Sequence, residues 1–135
     1  MKNIFGAACC MAILLFAFSC KKVAGPGGTS TIKGTIYVDT FFYKKDGSVI
    51  STDVLLGNLN VYLCYGDDQI SSTNTSTSYN GQYKFDYLTK GNYSVYVIGD
   101  EYYSNIKQAH KIATVTISAN KQVVTASDLH INVGY

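Results

Sequence analysis

From Thr31 to the C-terminus, apolar residues recur at every second position, and no stretch carries them at helical spacing. Successive side chains of a β-strand point to opposite faces, so a period of two predicts strands that bury one face each. Ile32, Ile36 and Val38 alternate with Lys33, Thr35 and Tyr37 in a first strand. Phe41 to Tyr43 and Val49 to Ser51 flank Lys44-Lys45-Asp46-Gly47, and Asp-Gly between short apolar runs predicts a hairpin. Leu59, Val61 and Leu63 alternate with Asn60, Tyr62 and Cys64 in the next long strand. Ile70 to Ser78 is rich in Ser and Thr, has β-propensity with little to bury, and reads as an exposed edge strand leading into a loop.

Asn80-Gly81 is a turn, after which Tyr83, Phe85 and Tyr87 share one face. Gly91-Asn92 is the next turn, after which Tyr93, Val95 and Val97 share one face. Gly99 to Gln108 reads as a polar loop. Ala113, Val115 and Ile117 form a strand, Ala119 to Gln122 a turn, and Val123 to Val133 the last strand, with Leu129, Ile131 and Val133 facing inward. Seven short strands at this spacing predict an all-β antiparallel sandwich with one wet face on each sheet.

Ahead of the strands, Lys2 precedes an apolar run from Ile4 to Phe18, then Ser19, Cys20 and Lys21-Lys22. A basic start, a short apolar core and a small residue at the cut make a secretory signal. The run is shorter than the roughly 20 apolar residues of a membrane span. With cysteine at the cut, Ala17-Phe18-Ser19-Cys20 resembles the lipobox of a bacterial lipoprotein. The resemblance implies that residues 1–19 are removed and that Cys20 carries acyl chains, more than one of which gives stable anchoring. Residues 20–30, with Val23 to Ser30 rich in Gly, read as a lipidated cysteine and flexible tether, and 31–135 as the folded domain.

Composition narrows the partners. The chain holds 11 Lys and Arg against 9 acids, and every one of the cations is lysine. Arginine is the residue suited to bidentate phosphate recognition, and nucleic-acid binding rests on a basic footprint, so a nucleic-acid partner is excluded. Of the 4 cysteines, Cys9 and Cys10 leave with the signal and Cys20 is used by the anchor. Cys64 then stands alone in an oxidising compartment, on the outward face of its strand, and reads as an inert surface or rim thiol.

Several segments together resemble a family. Ile32-Lys-Gly34-Thr-Ile36, Asn60-Val-Tyr-Leu63, Tyr79-Asn-Gly81-Gln-Tyr83-Lys-Phe85 and Leu88-Thr-Lys-Gly91-Asn-Tyr93-Ser-Val95 follow one another in the order of the carboxypeptidase regulatory-like and Cna protein B-type domains. That resemblance implies a prealbumin-like (transthyretin-like) Greek-key sandwich of seven strands, with an extra hairpin at residues 39–57 between the first two core strands. It also implies that Tyr83, Phe85 and Tyr93 are core. Some relatives carry an isopeptide bond between a first-strand Lys and a last-strand Asn or Asp, helped by a buried Glu. Lys33 and Asn132 fit by strand, but the single glutamate, Glu101, falls in a loop. Hydroxyisourate hydrolases of this fold use Arg and a Tyr-Arg-Gly-Ser end, which this chain lacks. A zinc carboxypeptidase needs a His-x-x-Glu pair, and neither His110 nor His130 begins one.

Three residue groups remain. His110 and His130 face each other if the final hairpin turns about Asn120, with Asp128 one pair along; they are weak metal candidates, since zinc takes three or four protein ligands. The acids Asp46, Asp67, Asp68 and Asp86 lack the close spacing of a calcium loop. Tyr37, Tyr62 and Tyr96 each point opposite to the apolar residues of their own strand and would form one aromatic surface if their strands are neighbours. The expectation is a non-enzymatic envelope lipoprotein, a binding or scaffolding module without cofactor, with a carbohydrate-binding accessory of a glycan uptake or degradation system as the alternative. Its partners would be the membrane, through the lipid, and a protein or a glycan. Lys21 after the cut favours the outer membrane of a Gram-negative cell, and the lack of an acidic run there favours the periplasmic face.

Overall fold

The computed structural model describes residues 23–47, 49–99 and 109–132. The signal segment, Cys20 and Glu101 lie outside the described residues. Nine strands are described: β1 (Pro26–Tyr43), β2 (Val49–Leu55), β3 (Asn60–Tyr65), β4 (Thr73–Ser76), β5 (Gln82–Leu88), β6 (Gly91–Gly99), β7 (Ala109–Ile117), β8 (Val123–Thr125) and β9 (Leu129–Asn132). Two sheets face each other, and no helix occurs among the described residues.

One sheet is built around β1, which is 18 residues long. Its first half pairs with β5 and β8, and its second half with β2 and β9. The other sheet runs β4-β3-β6-β7, all antiparallel. The hairpin expected around Asp46-Gly47 is present, as β2 folding back on the end of β1 with Tyr43 opposite Val49. β4 is the exposed edge strand expected between Ile70 and Ser78.

The sandwich is not antiparallel throughout. β8 and β9 run parallel to β1, because the chain leaves β7 in one sheet and crosses to the other before pairing. The turn after β7 is tied to the start of β1. Ser30 Oγ donates to the Ala119 carbonyl at 3.0 Å and accepts from the Gln122 amide at 3.1 Å. The Thr31 amide donates to the Gln122 carbonyl at 2.8 Å, and the Lys121 amide to Thr29 Oγ1 at 3.0 Å. Residues 26–30, which composition assigns to the tether, are therefore strand. Their backbone finds partners on β5 and in this turn, and that outweighs the local preference of Gly and Pro for coil.

The core lies between the sheets. Ile32, Ile36, Val38, Tyr83, Phe85, Leu88, Leu129 and Ile131 from one sheet meet Val61, Leu63, Tyr93, Val95, Val97, Ala113, Val115 and Ile117 from the other. Each fully buried aliphatic or aromatic side chain contributes about 1.5–3 kcal/mol. Tyr93 reaches the sandwich rim, where its Oη donates to the Thr89 carbonyl at 2.7 Å and accepts from the Gly25 amide at 3.1 Å.

The expected inward row on β5 breaks at Tyr87, which is 75% exposed. Leu88 takes the buried place instead. Phe85 pairs with Ile32 and Leu88 with Ser30, so two residues of β5 oppose Thr31 alone. Such a bulge flips the alternation by one, and Tyr87 adopts a φ of 61° to make it.

Candidate functional site

Tyr62 and Tyr96 are register partners on β3 and β6, and their rings stack with centroids 5.0 Å apart and planes 16° from parallel. Both point to the outer face, because their neighbours Val61, Leu63, Val95 and Val97 are buried. The same row extends across the sheet to Asn74 on β4 and Ile112 on β7. Ile112 is 61% exposed, and Ile98 one row along is partly so.

Beside this row lies a hollow of about 260 Å³ lined by Cys64, Asp68, Gln69, Ser94, Tyr96 and Ile112. Its polar wall comes from the loop after β3. The Gly66 amide donates to the Asn92 carbonyl at 2.8 Å, and the Ser72 amide to the Leu63 carbonyl at 2.8 Å, so the loop folds back over the end of the strand. Ser72 Oγ donates to Asp68 Oδ2 at 3.1 Å and holds that carboxylate in place.

The loop also changes the status of Cys64. The residue is on the outer face, as alternation says, yet it is 4% exposed and is not a surface thiol. Burial, with the Asp68 carboxylate adding to it, pushes the thiol above its ordinary pKa. A thiol in that state is a poor nucleophile.

Tyr37 does not join the tyrosine pair. It lies on β1, in the other sheet, and stacks on His130 with centroids 5.0 Å apart and planes 16° from parallel. The two histidines are likewise separated. β7 carries His110 in the four-stranded sheet, opposite Ile98, whereas β9 carries His130 beside β1. The hairpin that would have put them face to face does not exist, because the chain changes sheets after Ile117. His130 instead stands near Asp39 and Asp53, with Nδ1 3.4 Å from Asp39 Oδ1 and 4.0 Å from Asp53 Oδ1. Asp53 is held above the usual carboxylate range, first by its hydrogen bond to Asp39.

A larger groove, about 690 Å³, runs along the edges of β4 and β5 and is lined by Thr75 to Ser78, Gln82, Lys84 and Lys33 among others. Tyr83 also borders it, but that residue is 3% exposed and offers no ring face. Lys84 is engaged with Asp86 Oδ2 at 2.7 Å. Lys33 is exposed and lies opposite Lys84 and Thr125, whereas Asn132 lies opposite Asp39.

No protein-family model matches the chain, and no curated protein matches it. A solved structure from Pseudomonas aeruginosa, described as a "putative carbohydrate binding protein", is similar with a TM-score of 0.40 and 15% sequence identity, covering 81% of this chain and 91% of that one.

Proposed function

We propose that this chain is a non-enzymatic binding module, tied to a Gram-negative outer membrane through lipid on Cys20, and that it captures a glycan on the outer face of β3 and β6. The observation behind this reading is the Tyr62–Tyr96 pair beside the hollow walled by Ile112, Asp68, Gln69 and Ser94. Ligand sites combine apolar and aromatic walls with a few placed polar groups. Here the ring and the isoleucine suit the C–H faces of a sugar, while the carboxylate, amide and hydroxyl suit its hydroxyl groups. The groove at β4 and β5 has the polar groups without an exposed ring.

Electrophoresis through gels containing starch, xylan, pectin or mixed-linkage glucan tests this. At least one polysaccharide should retard the protein; Tyr62→Ala and Tyr96→Ala should abolish the retardation, and Tyr37→Ala should not. No retardation in any gel, or retardation indifferent to both tyrosines, contradicts the reading. The anchor is tested separately, since Cys20→Ser should move the protein from the membrane to the soluble fraction.

A further inference from the structure

The cluster at His130 is independent of the glycan face, because it sits on the outer face of the other sheet. Three strands build it. Asp39 on β1 pairs with Asp53 on β2, and Tyr37, two residues before Asp39, pairs with His130 on β9. In-phase positions on one pleated face bring the three side chains together.

Their donor atoms all lie within 4.8 Å of one another. Two of the separations are 3.4 Å and 4.0 Å, both from His130 Nδ1. Tetrahedral zinc with bonds of about 2.1 Å spaces its ligand atoms about 3.4 Å apart. A cation at the centre of this triangle thus reaches all three groups with shifts of a few tenths of an ångström, with Asp39 half-buried and Asp53 and His130 exposed. Among the described residues, the ion-pair partner of both carboxylates is His130, whose charge depends on protonation. Two carboxylates held together repel unless a proton or a cation lies between them.

The histidine is oriented from outside the cluster. Tyr37 stacks on its ring, which fixes the plane in which Nδ1 points at the carboxylates. Orientation of a ligand by a neighbour is a usual feature of metal sites. The donor set is one imidazole and two carboxylates, which suits zinc and its first-row neighbours. Calcium, with 6–8 oxygen ligands, would be poorly served.

We infer that Asp39, Asp53 and His130 form a zinc-class divalent-metal site with an open fourth position for water, which fastens the β1–β2 hairpin to β9. The full-length protein, purified in detergent and stripped with EDTA, should bind zinc chloride in calorimetry as a saturable site of one ion per chain. Its Tm should rise with zinc and not with an equal concentration of calcium chloride. Asp53→Asn and His130→Gln should each weaken the binding at least tenfold, while His110→Gln leaves it unchanged. Both substituted side chains are exposed, and each variant's metal-free melt reports its fold directly. Absence of saturable zinc binding below about 1 mM, equal response to calcium, or binding that survives in a folded Asp53→Asn or His130→Gln variant would overturn the assignment.

Discussion

Tyr83 lies across Gly34, its register partner on β1, and fills the space that a side chain at that position would occupy. A Cβ at residue 34 would sit 2.6 Å from the Tyr83 Cζ. Overpacking a filled core costs about 1–3 kcal/mol. Gly34→Ala should therefore lower the unfolding free energy by that amount, read as a lower urea midpoint with an unchanged slope. A variant as stable as the parent would mean that Tyr83 can swing away freely.

The Tyr83 hydroxyl is buried and has no hydrogen-bond partner among the described residues. Burial, with the Asp128 charge adding to it, raises its pKa to about 12 from the usual 10. The folded protein then holds this proton over a range in which the unfolded chain has released it. Stability should fall as pH climbs from 10 to 12 and be indifferent to this group below 10. Tyr83→Phe should remove that part of the alkaline loss. At neutral pH it should be neutral or stabilising by up to about 1 kcal/mol, because it deletes an unsatisfied polar group. Tyr93→Phe should do the reverse, since it strips the Gly25 amide of its acceptor, and should cost about 1–2 kcal/mol. Equal losses in the two variants would contradict the assignment of partners.

Much of this core was legible in the sequence. Alternation identified Ile32, Ile36, Val38, Val61, Leu63, Tyr93, Val95 and Val97 as buried, and Asp46-Gly47 marked the hairpin. Alternation says which residues of one strand share a face, however, and not which strands are neighbours. It paired Tyr62 with Tyr96 only on the condition that their strands adjoin, and it could not see that β1 carries Tyr37 into the other sheet. The parallel docking of β8 and β9 is a long-range event with no local sign. Asp39 and Asp53 could have been matched by counting back from the hairpin turn, but His130 joins them only through the β1–β9 pairing. Cys64 was placed on the correct face, and the non-periodic loop that covers it carries no pattern from which coverage can be read.

The start of the folded domain can be tested by truncation. Chains beginning at Val23 and at Thr31 differ in the Ser30 hydroxyl, buried between the Ala119 carbonyl and the Gln122 amide, and in the Gly25 contact with Tyr93. Each buried polar group left unpaired costs about 1–3 kcal/mol. The shorter chain should be less stable by chemical denaturation by the sum of such losses. Equal stability would restore residues 26–30 to the tether.

The Cys64 thiol should react slowly with an aromatic disulfide reagent in the native protein at pH 8, and rapidly in denaturant. Its 4% exposure and raised pKa both act in that direction. Fast native labelling would mean that the loop from Gly66 to Ser72 opens readily.

Amide chemical-shift mapping tests the binding face most directly. Spectra of the labelled protein should be recorded with each soluble polysaccharide of the retardation panel. Saturable shifts should cluster at Tyr62, Ser94, Tyr96, Ile112 and the Asp68–Gln69 turn, with β1, β2 and β9 unmoved. Shifts centred on the β4–β5 groove or on the Asp39–His130 face, or none with any glycan, would contradict it.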